Sequence, residues 1–195
     1  MLTRDHHPAG PGPSTPLVRP AGPADHAAIR DILRAAYSQY TADIPPQVWD
    51  TYLADLLDLD RHARDGDLLV AVVDGAIAGY AAFHPDATAQ GFGWPPGWAG
   101  GRGLAVHPAY RGRGVAAALL AELEYRSRDA GADVFAFHTS AFMTTAVALY
   151  ERLGYRRAPE FDLDVNAHYG IDAATPWPAL AYLRRLSPRR GARAA

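Results

Sequence analysis

The stretch Leu104-Ala105-Val106-His107-Pro108-Ala109-Tyr110-Arg111-Gly112-Arg113-Gly114-Val115-Ala116 runs an apolar strand into a glycine-spaced loop that opens a helix. A junction of that shape is suited to an anion. Gly112 and Gly114 remove side chains where backbone has to approach a ligand. The first amide groups of the helix point outward with no intrahelical partner, and the positive end of the helix dipole lies with them, so negative charge is favoured there. The shape fits a diphosphate rather than a metal ion. Out of context, the same Arg-Gly-Arg-Gly also fits a solvated basic turn or an RNA-contacting segment. A dinucleotide site fits less well, since the Gly-x-Gly-x-x-Gly turn and an acidic residue closing the next strand are missing. No Gly-Lys-Ser/Thr is present, which removes a P-loop.

A second block lies about 30 residues on, after a second buried strand: Ala146-Val147-Ala148-Leu149-Tyr150-Glu151-Arg152-Leu153-Gly154-Tyr155. With Arg-x-x-Gly-x-Ala from Arg111 to Ala116 and Ala-x-x-Leu-Tyr-x-x-Leu-Gly-aromatic here, the chain resembles the GNAT superfamily of acyl-CoA-dependent N-acyltransferases over roughly residues 16 to 186. The resemblance implies an α/β fold, a mixed twisted sheet of about seven strands flanked by helices, with the fourth and fifth strands parallel and splayed apart. It implies acetyl-CoA as co-substrate and no metal. Pantetheine would lie in the splay like an added strand against the backbone of Leu104, Ala105 and Val106. The diphosphate would rest on Arg111, Gly112, Arg113, Gly114, Val115 and Ala116. The implied reaction is direct transfer of an acetyl or other short acyl group from CoA to a primary amine, on a small molecule, a protein N-terminus or a lysine. A homodimer is left open.

The composition agrees with one globular domain: 195 residues, 49% hydrophobic and 21% charged, enough for a well-buried core. A formal net charge of -2 gives no basic field to draw the chain onto nucleic acid or an anionic membrane. With no cysteine, disulfides, thiolate metal sites and an acetyl-cysteine intermediate are excluded, so acyl transfer has to be direct. All 19 basic residues are arginine, which with abundant alanine reads as the codon bias of a GC-rich bacterial genome. No apolar run approaches the roughly 20 residues of a membrane span and no signal pattern opens the chain, so the expected location is the cytoplasm. Residues 1 to 16, with Pro8, Pro11, Pro13 and Pro16, read as a flexible tail. Residues 17 to 187 read as the single domain and 188 to 195 as an arginine-rich C-terminal tail.

Along the domain, Leu17 to Pro20 predicts a first strand. A helix capped by Asp25 and a second after Pro45-Pro46 follow, the latter leaving Asp50, Asp55 and Asp58 on a solvated face. Leu68 to Val73, the turn Asp74-Gly75 and Ala76 to Phe83 predict a hairpin. Residues 84 to 101 read as a long loop, whose Phe92, Trp94 and Trp98 suit either a lid over the acceptor or a surface insertion. The fourth strand is expected at Leu104 to Val106, a helix from about Gly114 to Asp129, and the fifth strand at Val134 to His138. A helix from about Ala141 to Leu153 and strands at Tyr155 to Asp162 and Leu180 to Leu186 complete the order.

N-acylation needs an uncharged amine beside the thioester, a donor for the developing oxyanion and an acid for the departing thiolate. By resemblance, the oxyanion donor is a backbone N–H of the fourth strand, at Val106 or its neighbour, where a bulge would turn it into the cleft. Tyr150 holds the position that in many family members protonates the thiolate. Its sequence context equally fits core packing, because Phe142, Ala146, Leu149, Tyr150 and Leu153 share one helical face. Two positions depart from the family: Met143 stands where many relatives have asparagine, and Gly100 where an acidic base often stands. That leaves His84, His138 or a water chain for the proton, each histidine having a structural reading as well. His107 reads as a surface residue. The missing base and Met143 also fit a second class, a binding module that holds acyl-CoA without turnover. A nucleic-acid binder resting on Arg111, Arg113 and the C-terminal arginines is disfavoured by the acidic balance elsewhere.

Overall fold

A computed structural model of the chain describes residues 14–172 and 176–187. The expected tails at 1–16 and 188–195 therefore lie almost wholly outside the described residues. The elements are β1 (Leu17–Pro20), α1 (His26–Tyr37), α2 (Pro46–Leu57), α3 (Leu59–Arg64), β2 (Asp67–Val73), β3 (Ala76–His84), β4 (Trp98–Val106), α4 (Val115–Asp129), β5 (Val134–Ser140), α5 (Thr144–Arg152), β6 (Arg156–Arg157), β7 (Leu163–Asp164), α6 (Val165–His168) and β8 (Pro178–Arg185). They build one mixed sheet in the order β1-β2-β3-β4-β5-β8-β6, with β7 also on β8. Among the described strands, β4 and β5 form the one parallel pair.

Helices cover both faces. Ile29 and Leu33 of α1 pack with Val70, Tyr80 and Ala105 on one side. On the other, Leu119 and Leu123 of α4 pack with Phe135, Phe137 and Tyr155. Val115, Leu119 and Leu123 recur at helical spacing, so α4 buries one stripe, and each leucine removed from water contributes about 1.5–3 kcal/mol.

Parallel pairing of β4 and β5 ends early. Its partners are Trp98 with Val134, Ala99 with Phe135 and Gly100 with Ala136, whereas β4 runs on to Val106 and β5 to Ser140. Beyond Gly100 the two strands part, which is the splay that the resemblance implies. A bulge accompanies the parting: Tyr80 pairs with Ala105 and Ala82 with Arg102, so Gly103 and Leu104 together face Ala81. Gly103 takes φ +65°, a conformation costly for any other residue, and a Cβ there would also lie 3.2 Å from the Tyr80 ring.

Three expectations need correcting. β4 begins at Trp98, not Leu104, because its glycines are sites of close packing: a Cβ on Gly101 would lie 2.7 Å from the Phe135 ring. The expected long loop shrinks accordingly, and Trp94 is 3% exposed, stacked on His138 and packed against Trp98 and Phe161. Trp94 and Trp98 are thus core and strand rather than a lid. The single strand expected at Tyr155 to Asp162 is only the two-residue β6, followed by a 3-10 turn at Pro159–Phe161, since proline has no N–H for a ladder; β7 begins beyond it at Leu163.

Candidate active site

The splay is one wall-to-wall cavity of about 910 Å³. Gly101 to Val106 of β4 line one side and His138 to Ser140 of β5 the other, with Tyr150 of α5 on the wall. It reaches the start of α4, where Gly112, Gly114, Val115, Ala116 and Ala117 line it, and it surrounds Arg102 with Tyr52, Phe92, His168, Tyr169 and Trp177. Of the residues expected to hold the co-substrate, Leu104, Ala105, Val106, Arg111, Gly112, Gly114, Val115 and Ala116 all line this cavity. Arg113 does not; its guanidinium lies 2.6 Å from the Asp74 carboxylate and over the Tyr110 ring.

At the α4 terminus, Gly112 and Gly114 have φ of +75° and +78°, and nothing lies within 4 Å of where a Cβ would stand on either. Backbone conformation, not crowding, calls for glycine there. Ala118 N–H bonds back to the Gly114 carbonyl at 3.0 Å, so the helical amides before it remain directed out of the helix end. This donor set suits the oxygens of a diphosphate. On β4, His107 N–H donates to the Ala78 carbonyl of β3 at 2.9 Å. Strand alternation then turns Val106 N–H the opposite way, toward the splay.

Tyr150 packs in the core and also borders the cavity. Its ring is 6% exposed and packs on Phe137 at 4.5 Å and on Tyr155 and Tyr182 at 6.1 Å, while it forms part of the cavity wall. Burial pushes its hydroxyl pKa well above the ordinary tyrosine value, so it stays protonated. Met143 also lines the cavity, its sulfur accepting from the Thr139 hydroxyl at 3.7 Å.

The two histidine candidates separate. His84 is 4% exposed, stands edge-to-face with His62 at 6.3 Å and does not line the cavity. His138 lines the cavity, but Nε2 lies 2.9 Å from the Phe161 carbonyl and burial lowers the ring pKa to about 4. It is neutral at pH 7. His107 lies outside the cavity, its Nδ1 accepting from Ala109 N–H at 3.3 Å.

A polar cluster that the sequence reading placed wrongly sits beside the bulge. Asp55, expected on a solvated face with Asp50 and Asp58, has a side chain only 7% exposed and pairs with both Arg102 and Arg61. Tyr169 donates to the same carboxylate at 2.7 Å and accepts from Arg102 at 3.1 Å. The guanidinium of Arg102 also covers the Phe92 ring at 4.7 Å. Arg102 held the available signal: a charge between two glycines in a buried strand requires a partner. Asp55 alone held none, since an acid on an amphipathic helix is ordinarily solvated.

A twisted sheet opened between two parallel strands, with glycine-spaced amides at the adjoining helix end, is the architecture of an acyl-CoA-dependent acyltransferase. The chain belongs to the acetyltransferase (GNAT) family, whose model matches residues 27–155. Among solved structures, yncA of Salmonella typhimurium, determined with its cofactor acetyl-CoA, is similar at a TM-score of 0.60 and 20% identity, covering 93% of this chain and 100% of that one. The ribosomal-protein-S18-alanine N-acetyltransferase of Escherichia coli is similar at 0.62 and 18% identity, with 93% and 100% covered. These likenesses show the fold. By sequence, the mycothiol acetyltransferase of Kineococcus radiotolerans is 37% identical over 112 residues, 56% of this chain and 34% of that protein. The N-acetyltransferase YdgE of Bacillus subtilis, itself uncharacterised, is 42% identical over 50 residues, 26% and 32% of the two chains. The chain thus matches about a third of the length of these curated relatives. Among the described residues, no helix is long and apolar enough to cross a membrane.

Proposed function

We propose that this protein transfers an acetyl group directly from acetyl-CoA to an amine. One observation supports the reading above others: a single cavity joins the amides at the start of α4, the open edge of β4 and the Tyr150 ring. In this reading, Gly112 to Ala116 hold the diphosphate and the backbone of Leu104 to Val106 pairs with the pantetheine arm. Val106 N–H donates to the thioester oxygen as it gains charge. The amine nitrogen forms a bond to the acetyl carbon, the carbon–sulfur bond breaks, and Tyr150 gives its proton to the departing sulfur. The amine's displaced proton then restores the phenol through water. The relatives' names differ as widely as ribosomal-protein-S18-alanine N-acetyltransferase and mycothiol acetyltransferase, so they support the donor half of the reading more than the acceptor half.

A second reading, an acyl-CoA-binding module without turnover, draws on one observation: among the described residues lining the cavity there is no aspartate or glutamate. Tyr150→Phe separates the two. Phenylalanine keeps the ring packing, and a positioned acid contributes about 10²–10⁴ in rate. The expected outcome is a kcat loss of that size, with acetyl-CoA affinity by calorimetry and melting temperature close to those of the parent. Near-parental kcat would remove Tyr150 from the chemistry, and no turnover in the parent with any amine would favour the binding module.

A further inference from the structure

The charge along the cavity is one-sided. Among the described residues lining the cavity, the fixed charges are Arg102, Arg111 and Arg152, all positive. Arg102 lies amid the aromatic wall. The nearest carboxylate to it, Asp55, is already engaged by Arg102, Arg61 and the Tyr169 hydroxyl. His138 adds no charge at neutral pH and spends Nε2 on the Phe161 carbonyl. A cationic acceptor would meet no counterion here and would face a guanidinium.

The wall is otherwise aromatic, and rings can attract cations through their faces. One of those faces already holds a cation. Phe92 already carries the Arg102 guanidinium at 4.7 Å and lies 4.7 Å from His168, while Tyr52 and Trp177 stand edge-to-face at 5.0 Å. What such a wall offers is flat apolar surface, which favours an uncharged ring.

Proton balance points the same way. A neutral amine and acetyl-CoA give an amide and a thiol with no net proton released, whereas an ammonium acceptor also releases one proton that needs a base. No carboxylate among the described lining residues stands ready to take it.

We propose that the acceptor is a small aromatic amine, uncharged at neutral pH, rather than a polyamine or the lysine of a basic peptide. The inference rests on the transferase reading above. It excludes acceptors that arrive as strong cations, because an ammonium desolvated beside Arg102 without a partner is penalised as any unpaired buried charge is.

The test uses the whole chain. Calorimetry first measures acetyl-CoA binding; thiol release is then followed at pH 7 with para-anisidine, spermidine and a short peptide bearing one lysine. The expected result is acetyl-CoA binding together with a kcat/KM for para-anisidine at least about 100-fold above both cationic acceptors, the scale of a buried unpaired charge. Acetyl-CoA binding with spermidine or the peptide as the better acceptor overturns the inference and leaves the transferase reading intact. Failure to bind acetyl-CoA overturns both. His168→Asp supplies an independent arm, since it places a carboxylate on an exposed residue of the lining. It should raise the spermidine to para-anisidine ratio about fivefold, as one solvent-exposed ion pair allows. An unchanged or lowered ratio in a variant of parental melting temperature contradicts the charge argument.

Discussion

Single residues set both the chemistry and the acid sensitivity of this protein. His62 and His138 are each held neutral by burial, with pKa values lowered to about 4; His62 also places Nε2 2.9 Å from the Asp55 carbonyl. In the unfolded chain both return to about 6.5. Between those values the unfolded state binds more protons than the folded one, so stability rises with pH across the window and falls on acidification. Below about 4 the two rings contribute no further change. The melting temperature should therefore drop by roughly 10 °C between pH 7 and pH 4.5, the scale of a few kcal/mol in a chain of this size. Calorimetric scans across that range check it; a flat profile would mean that the two rings are not buried in their neutral form. Little of this was legible in the sequence, because a histidine's neighbours come from distant segments: His138 meets Trp94 and Phe161, and His62 meets His84.

Elements were legible where local signals agree. The β2–β3 hairpin follows from Asp74-Gly75, and α4 from its apolar spacing with Gly114 before it and Gly131 beyond. β4 was half missed because Gly100, Gly101 and Gly103 lower strand propensity, yet packing against Gln90, Phe135 and Tyr80 in turn demands them. Tertiary contact overrode the local rule there, and the same bulge carries Arg102 into the cavity lining. The start of α4 allows a clean test. Gly114→Pro imposes φ near −65° where +78° is required and deletes an N–H at the proposed diphosphate site. Acetyl-CoA affinity should fall at least about tenfold, the cost of one charge-assisted hydrogen bond. Gly114→Ala, which keeps the N–H and meets nothing within 4 Å, should lose less. Equal affinity for the parent and a cooperatively melting proline variant would exclude the loop from binding.

At the scale of the whole molecule, the strand and helix order carried the α/β class, and two motifs carried the expectation of a splay, because both lie in continuous segments. The end of the cavity around Arg102 was not readable in the same way. It gathers α2, β4, β5, the turn near Phe92 and the chain from α6 to β8, and only folding brings Asp55, Arg102 and Tyr169 together. The family fixes the sheet and its opening, while in the proposed reading this chain's own side chains decide what meets the thioester. The claim that joins these scales is direct transfer across the splay. A single-turnover experiment tests it: protein preloaded with acetyl-CoA is mixed with para-anisidine, and thiol, amine and protein are followed together by absorbance and mass spectrometry. Direct transfer predicts one thiol released per amide formed, with no acetylated protein at any time and no thiol burst before the amine is added. Thiol release with an acetyl group retained on the protein, or acetyl-CoA left intact with every amine offered, would contradict it.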